Sequence, residues 1–321
     1  MTEASNRAQK NDLFFNGASR SKSFFRNVTL RLVFFPVLCY YIVQISFAFK
    51  DVRNVQKKAV IVQDLSCFGK CSSAVALPIV SRFNIECAVL PTALLSVHTG
   101  FSKFTCFDLT EEMKKIVEDW NELSLSFDGF FSGYMLSQKQ AEIALFVLEK
   151  LLKKGGLVLV DPVMGDDGKP YSGLGDSFCE KMRELVSRAD VITPNLTEAA
   201  LLLEREPVLS DYDEAYIKEC LFELKKLGCK TPMLTGVSFE KEKIGVAFLE
   251  NGEVQFVFSK RHEGVKCGTG DAFSSVLFGA LMSGEGTRRA VERAVFSVER
   301  AISNGVKDYG IDFESVLGSL C

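Results

Sequence analysis

From Lys58 onward the chain alternates short apolar runs, bounded by turn residues, with longer amphipathic stretches. The runs predict strands over 59–63, 86–90, 129–132, 157–160, 191–193 and 232–235, then a hairpin of 244–249 with 254–258 about Asn251-Gly252. The 3.6-residue periodicity predicts helices over 73–83, 109–120, 137–153, 177–188, 213–227, 270–282 and 287–303. Strands separated by helices imply βαβ units, hence a mainly parallel central sheet with helices on both faces. No internal repeat shows and no linker divides this stretch, so it reads as a single α/β domain. Ligands of such sheets bind at the carboxyl ends of the strands. The residues expected just past those ends are Asp64, Pro91-Thr92, Gly133, Asp161, Asn195 and Gly236.

Charge divides the chain unevenly. Residues 1–54 hold eight basic residues against three acidic ones, which leaves 30 against 38 in the remainder of a chain whose net charge is −3. An acidic body lacks the concentrated Lys/Arg surface that phosphate-backbone binding needs, so nucleic acid is excluded as a partner. Within the extension, Leu32–Phe49 runs for 18 residues without a charge, close to the ~20 of a membrane span. It reads as an anchor, as a signal peptide with Ser46-Phe47-Ala48 as cleavage site, or as sequence upstream of a mis-assigned start. The third reading is favoured, because no Met falls between Met1 and Met113 and Val55 could initiate. The expectation is therefore an extension over 1–54 and a working domain over 55–321, with a membrane as partner only if 32–49 is a genuine anchor. The ten cysteines form no CxxC pair and only two histidines are present, which excludes the usual zinc spacings and favours free thiols in a reducing, cytoplasmic setting.

Cys267-Gly268-Thr269-Gly270-Asp271 opens a helix of small and apolar residues. Glycines let backbone approach an anion, helix N–H groups can hold phosphate oxygens, and Asp271 stands where a carboxylate could take a proton from an attacking hydroxyl. Taken alone, Gly268-Thr269-Gly270-Asp271 fits a loop with an N-cap aspartate equally well. Two further segments, Leu159-Val160-Asp161-Pro162-Val163-Met164-Gly165-Asp166 and Ile192-Thr193-Pro194-Asn195-Leu196-Thr197-Glu198, are buried strands ending in polar residues suited to magnesium and phosphate. GxxxxGK[ST] is absent, so a nucleotide must be held by a design other than the P-loop.

Read in order, QDLSCFGKCSSAVALPI, LPTALLSVHTGF, SGYMLSQKQ, DPVMGDDGKPYSG, ITPNLTEA, LTGV and GTGDAFSS resemble the ribokinase-like superfamily and, more narrowly, its bacterial pyridoxal kinase branch. The resemblance implies an ATP-dependent kinase acting on the 5′-hydroxymethyl group of vitamin B6 vitamers. It implies Asp271 as base, with Gly268, Thr269 and Gly270 as anion hole. Asp161 and Glu198 would hold Mg2+ and phosphate with Asp166 nearby, Thr193 and Thr235 would touch ATP, and the adenine would lie against about 259–265. On the vitamer side the matching positions are Asp64, Ser96, His98 and Thr99, with Gly133 and Tyr134 nearby, and residues 92–104 would form a flap over the site. A homodimer is implied; assistance by K+ is left open. Asp64 departs from the serine common in that branch and is expected to bear on vitamer choice. His98 could instead be a plain hydrogen-bonded residue, and Cys67 and Cys71 read as small buried thiols rather than a metal pair. Two alternatives stand beside this reading: a hydroxymethylpyrimidine kinase, whose glycine-rich segment after the first strand is missing here, and a non-catalytic B6-binding protein.

Overall fold

The structure is a computed structural model and describes residues 56–262, 264, 267–307 and 309–320. The expectations for residues 1–54, including the apolar segment 32–49, lie outside the described residues. Gln56 opens a compact unit that runs to the C-terminus. Its elements are β1 (Lys58–Ser66), α1 (Ser73–Arg82), β2 (Glu86–Leu95), β3 (Cys106–Asp108), α2 (Thr110–Glu122), β4 (Phe127–Ser132), α3 (Gln138–Lys150) and β5 (Leu152–Val160). There follow β6 (Gly165–Asp166), β7 (Lys169–Pro170), α4 (Asp176–Ser187), β8 (Val191–Ile192), α5 (Leu196–Leu202), α6 (Glu214–Lys226), β9 (Thr231–Val237), β10 (Lys243–Glu250) and β11 (Glu253–Lys260). The unit closes with α7 (Thr269–Met282), α8 (Thr287–Asn304), β12 (Val306–Lys307), β13 (Gly310–Ile311) and a 3-10 helix, Phe313–Ser319.

Nine strands form one sheet in the order β11-β10-β9-β8-β5-β4-β1-β2-β3. The six from β9 to β2 run parallel, and β3, β10 and β11 add antiparallel edges. Alternation along each strand feeds two apolar layers. Val60, Val62, Phe130, Val160 and Ile192 pack in the layer that contains Met113 of α2, Ala144 of α3, Met182 of α4 and Leu221 of α6. Ala59, Ile61, Phe131, Leu159 and Val191 pack with Val75 of α1, Phe278 of α7 and Ala294 of α8. A parallel sheet buried on both faces produces the near-continuous apolar runs seen in the sequence. The Asn-Gly signal is realised as well: Asn251 (φ 52) and Gly252 (φ 85) carry the two positive φ angles of a tight hairpin turn between β10 and β11.

Several strand ends differ from expectation. β1 and β2 pair beyond Val62 and Leu90, through an irregularity between Gln63 and Leu65, as far as Ser66↔Leu95. Asp64 and Pro91-Thr92 therefore lie inside strands rather than past them, and Gly236 lies within β9. The extended β2 then turns back as β3, so the flap is the hairpin tip 96–105, narrower than 92–104. β5 starts at Leu152 because Phe127 pairs there, which ends α3 at Lys150. Short elements with little periodic signal went unforeseen: β3, the β6–β7 hairpin about Asp167-Gly168, α5, the β12–β13 pair and the 3-10 helix.

Candidate active site

The chain passes from β1 to β2 on one side and returns to β4 on the other, so the sheet switches direction between β1 and β4. That is where a crevice forms at the carboxyl ends. Above it stands the N-terminus of α7. Gly268 caps this helix in the left-handed region (φ 81), and a Cβ there would stand 2.2 Å from the Lys70 carbonyl oxygen, so only glycine fits. Gly270 has nothing within 4 Å of its Cβ position and faces open space. Backbone N–H groups of a first helical turn lack intrahelical partners and favour an anion.

Asp271 lies in the same turn, half-buried. Its carboxyl is pushed up to about 6 by burial, against the backbone N–H of Ser72, which donates to it, while the negative charge of Asp64 adds to the rise. Ser72 takes a positive φ of 51 with ψ −132, and its side chain bonds to Asp64. Asp64, 2% exposed, also accepts from Ser66 Oγ at 3.2 Å, yet its pKa is raised, chiefly by burial. Ser72 thus couples the two carboxylates. The sequence assigns Ser72 no role, because the positive-φ backbone that aims its N–H is not legible in a serine.

On the other side of the crevice Ser274, one turn after Asp271, donates to Asp161 Oδ2 at 2.9 Å and contacts Thr193 Oγ1 at 3.0 Å. Burial first and the charge of Asp271 second push Asp161 up to about 7. Glu198 is raised too, by burial and then by Asp161. It closes a capping box on α5: Asn195 N donates to Glu198 Oε2 and Glu198 N to Asn195 Oδ1, both at 2.9 Å. Asp166 is exposed, and its charge also acts on Glu198. Thr235 Oγ1 donates to Pro194 O at 3.3 Å, tying β9 to the Thr193–Asn195 turn. Among the described residues no group of three or more His, Cys, Asp or Glu could hold a metal. Two buried carboxylates, Asp161 and Glu198, the charge of the first raising the pKa of the second, do fit magnesium, which takes one or two carboxylates and completes its shell with waters and phosphate oxygens.

The flap folds over the Asp64 side. His98 is 3% exposed; its Nδ1 accepts from Gly100 N at 3.1 Å, and its buried Nε2 has no partner among the described residues. Phe101 packs on the ring at 4.7 Å between centroids, and Phe101 meets Phe68 at 6.1 Å. Ser96 Oγ accepts from Thr105 N at 2.9 Å across the hairpin, and Thr99 is exposed. Gly133 N donates to Val62 O at 3.0 Å. Tyr134 is half-buried, and its hydroxyl pKa is raised by burial and by Asp64. The structure therefore gathers Asp64, His98, Gly133 and Tyr134 on one side of Asp271, and Asp161, Thr193 and Glu198 on the other. Cys67 is exposed rather than buried, because it follows β1 out of the sheet, and Cys71 is half-buried. Both are free thiols. Residues 263 and 265, part of the segment expected against an adenine, lie outside the described residues.

A carboxylate on the first turn of a helix, facing two further buried carboxylates at the carboxyl ends of a parallel sheet, fits a phosphotransferase built without a P-loop. The phosphomethylpyrimidine kinase family model matches residues 133–311. Among relatives, a pyridoxine/pyridoxal/pyridoxamine kinase of Bordetella avium is 27% identical over 255 residues, covering 75% of this chain and 81% of its own length. The crystal structure of pyridoxal kinase from Lactobacillus plantarum superposes with a TM-score of 0.76 at 30% identity, covering 82% of this chain and 96% of that one. A Bacteroides thetaiotaomicron protein, provisionally described as a phosphomethylpyrimidine kinase and crystallised with pyridoxal, gives a TM-score of 0.78 at 35% identity, covering 82% and 95%. The chain belongs to the phosphomethylpyrimidine kinase family, on the ribokinase-like fold that the sequence motifs implied.

Proposed function

We propose that the chain is an ATP-dependent kinase that phosphorylates the 5′-hydroxymethyl group of pyridoxal, pyridoxine and pyridoxamine, giving pyridoxal 5′-phosphate from pyridoxal. The observation that carries this is Asp271, its pKa lifted to about 6, beside the open backbone of Gly270 and facing Asp64 across Ser72. A base with that pKa is ionised at neutral pH yet more basic than an ordinary aspartate, which suits deprotonation of a hydroxyl. Asp271 accepts the proton of the 5′-hydroxyl as its oxygen bonds to the γ-phosphorus and ADP leaves. N–H groups of Thr269 and Gly270 take up charge on the transferred group, an effect of positioning and electrostatics rather than covalent catalysis. Asp64, Ser96, His98, Thr99, Gly133 and Tyr134 bind the vitamer; Asp166, Thr193 and Thr235 contact the nucleotide. Asp161 and Glu198 would hold Mg2+, which would neutralise phosphate charge when bound. The flap excludes water, because a wet site would hydrolyse ATP.

The working unit is residues 55–321, acting in the cytoplasm, consistent with the free thiols of the described residues. A homodimer is supported by apolar side chains exposed near the β3 edge, with Phe107 63% and Phe68 52% exposed. No helix among the described residues is long and apolar enough to cross a membrane.

The second reading, phosphorylation of hydroxymethylpyrimidine, is favoured by the description of the matching family. ADP release by the purified chain with Mg-ATP and each vitamer or hydroxymethylpyrimidine separates them: turnover of the pyrimidine alone would overturn the B6 assignment. No turnover of anything would leave a binding protein. Initial rates with and without K+ decide whether a monovalent cation assists.

A further inference from the structure

β1, beside the crevice, carries a buried polar side chain that none of these roles employs. Gln63 is 1% exposed, and neither its Nε2 nor its Oε1 has a hydrogen-bond partner among the described residues. Buried amides ordinarily find partners, since an unpaired one destabilises the fold. Gln63 lies against Gly133, where an added Cβ would stand 2.7 Å from Nε2 and 2.9 Å from Cδ, so the missing side chain of Gly133 makes its room.

Its neighbours at the same level are groups of the site. The N–H groups of Gly133, Asp161 and Thr193 donate in turn to the carbonyls of Val62, Ser132 and Val160, which sets Gln63, Gly133, Asp161 and Thr193 in one row across β1, β4, β5 and β8. Two residues earlier on each strand stand Ile61, Phe131, Leu159 and Val191, all in the layer that carries α7. Alternation therefore turns the row toward that helix. Ser274 closes on the row through Asp161 and Thr193, and Asp271, three residues earlier, shares that face of α7. Gln63 and Asp271 thus lie on the same, α7-facing side of the sheet.

We propose that the Gln63 carboxamide touches the substrate and holds its hydroxymethyl arm for attack, its NH2 donating to the reacting oxygen while Asp271 accepts that oxygen's proton. The proposal rests on the reading of the chain as a hydroxymethyl kinase. An arm common to every candidate substrate predicts a loss common to all of them, expressed in kcat, because orientation is realised on the way to the transition state.

The test compares the full chain with Gln63→Leu and Gln63→Met by ADP release on pyridoxal, pyridoxine, pyridoxamine and hydroxymethylpyrimidine, with thermal melts alongside. The expected result is a roughly ten-fold fall in kcat on every substrate the wild type accepts, together with a higher melting temperature once the unpaired amide is gone. Unchanged kcat in a more stable variant overturns the proposal, since the amide is then idle filler. A loss confined to one vitamer also overturns it, because Gln63 then reads the ring substituent that differs among them. If the wild type accepts hydroxymethylpyrimidine and no vitamer, the B6 reading fails while Gln63 is still judged on that substrate. Met matches the length of Gln, so it carries the same readouts should Leu not fold.

Discussion

Replacing Asp271 by asparagine keeps the size of the side chain and an oxygen for the Ser72 N–H, and removes the charge. Two quantities should move in opposite directions. Loss of a general base costs about 10²–10⁴ in rate, so kcat should fall by at least about a hundred-fold with every substrate. Stability should rise. The folded-state pKa stands near 6 against an ordinary 3.8, so the folded protein binds the Asp271 proton more tightly than the unfolded chain. Its ionisation therefore destabilises the fold as pH rises from about 4 to 6, by about 3 kcal/mol at full extent. Asparagine has no such penalty. At pH 7.5 the variant should melt higher, by up to roughly 6 °C if each kcal/mol shifts the midpoint by about 2 °C, and near pH 4 the difference should vanish. Scanning calorimetry at the two pH values reads the stability arm and coupled ADP release the catalytic arm. A rate within ten-fold of wild type would refute the assignment of Asp271 as base; a stability gain that persists at pH 4 would refute the burial argument.

Gly268→Ala and Gly270→Ala form a contrasting pair. The first places a Cβ 2.2 Å from the Lys70 carbonyl at φ 81 and should lower stability by about 1–3 kcal/mol, read in urea melts; the second meets nothing within 4 Å, so it should melt normally while phosphoryl transfer falls. Asp161→Asn relieves a buried carboxylate whose pKa is raised by burial and by Asp271, so it should raise the melting temperature above neutral pH and abolish any extra stabilisation that Mg2+ adds to ADP. Equal stabilisation by Mg-ADP in both forms would dismiss Asp161 as a magnesium ligand. Asp64→Ser should change KM for at least one of pyridoxal, pyridoxine and pyridoxamine, measured at saturating ATP, and KM values unaltered for all three would end its role in vitamer choice.

How far the chemistry could be read in advance depended on the kind of signal. The Asn251-Gly252 turn is local, and the strand residues it joins, Glu250 and Glu253, are three apart. The extension of β1 and β2 is not legible, because pairing of Leu65 with Leu94 and Ser66 with Leu95 joins segments whose own residues, Pro91 among them, argue against a strand. Cys67 was misjudged for the same reason, since the strand carries it out to solvent.

By itself the sequence determined a parallel sheet covered on both faces, the helix that begins after Gly268, and the residue types of the site. Those are properties of periodicity and of local backbone chemistry, which a linear pattern contains. Only the tertiary structure decided which side chains meet: that Ser72 bonds to both Asp64 and Asp271, that Ser274 reaches Asp161, and that Gln63 stands unpaired against Gly133. These contacts join strands and helices distant along the chain. Their pKa shifts and open valences arise from burial and from the fields of neighbours, which exist only once the sheet has closed around the crevice.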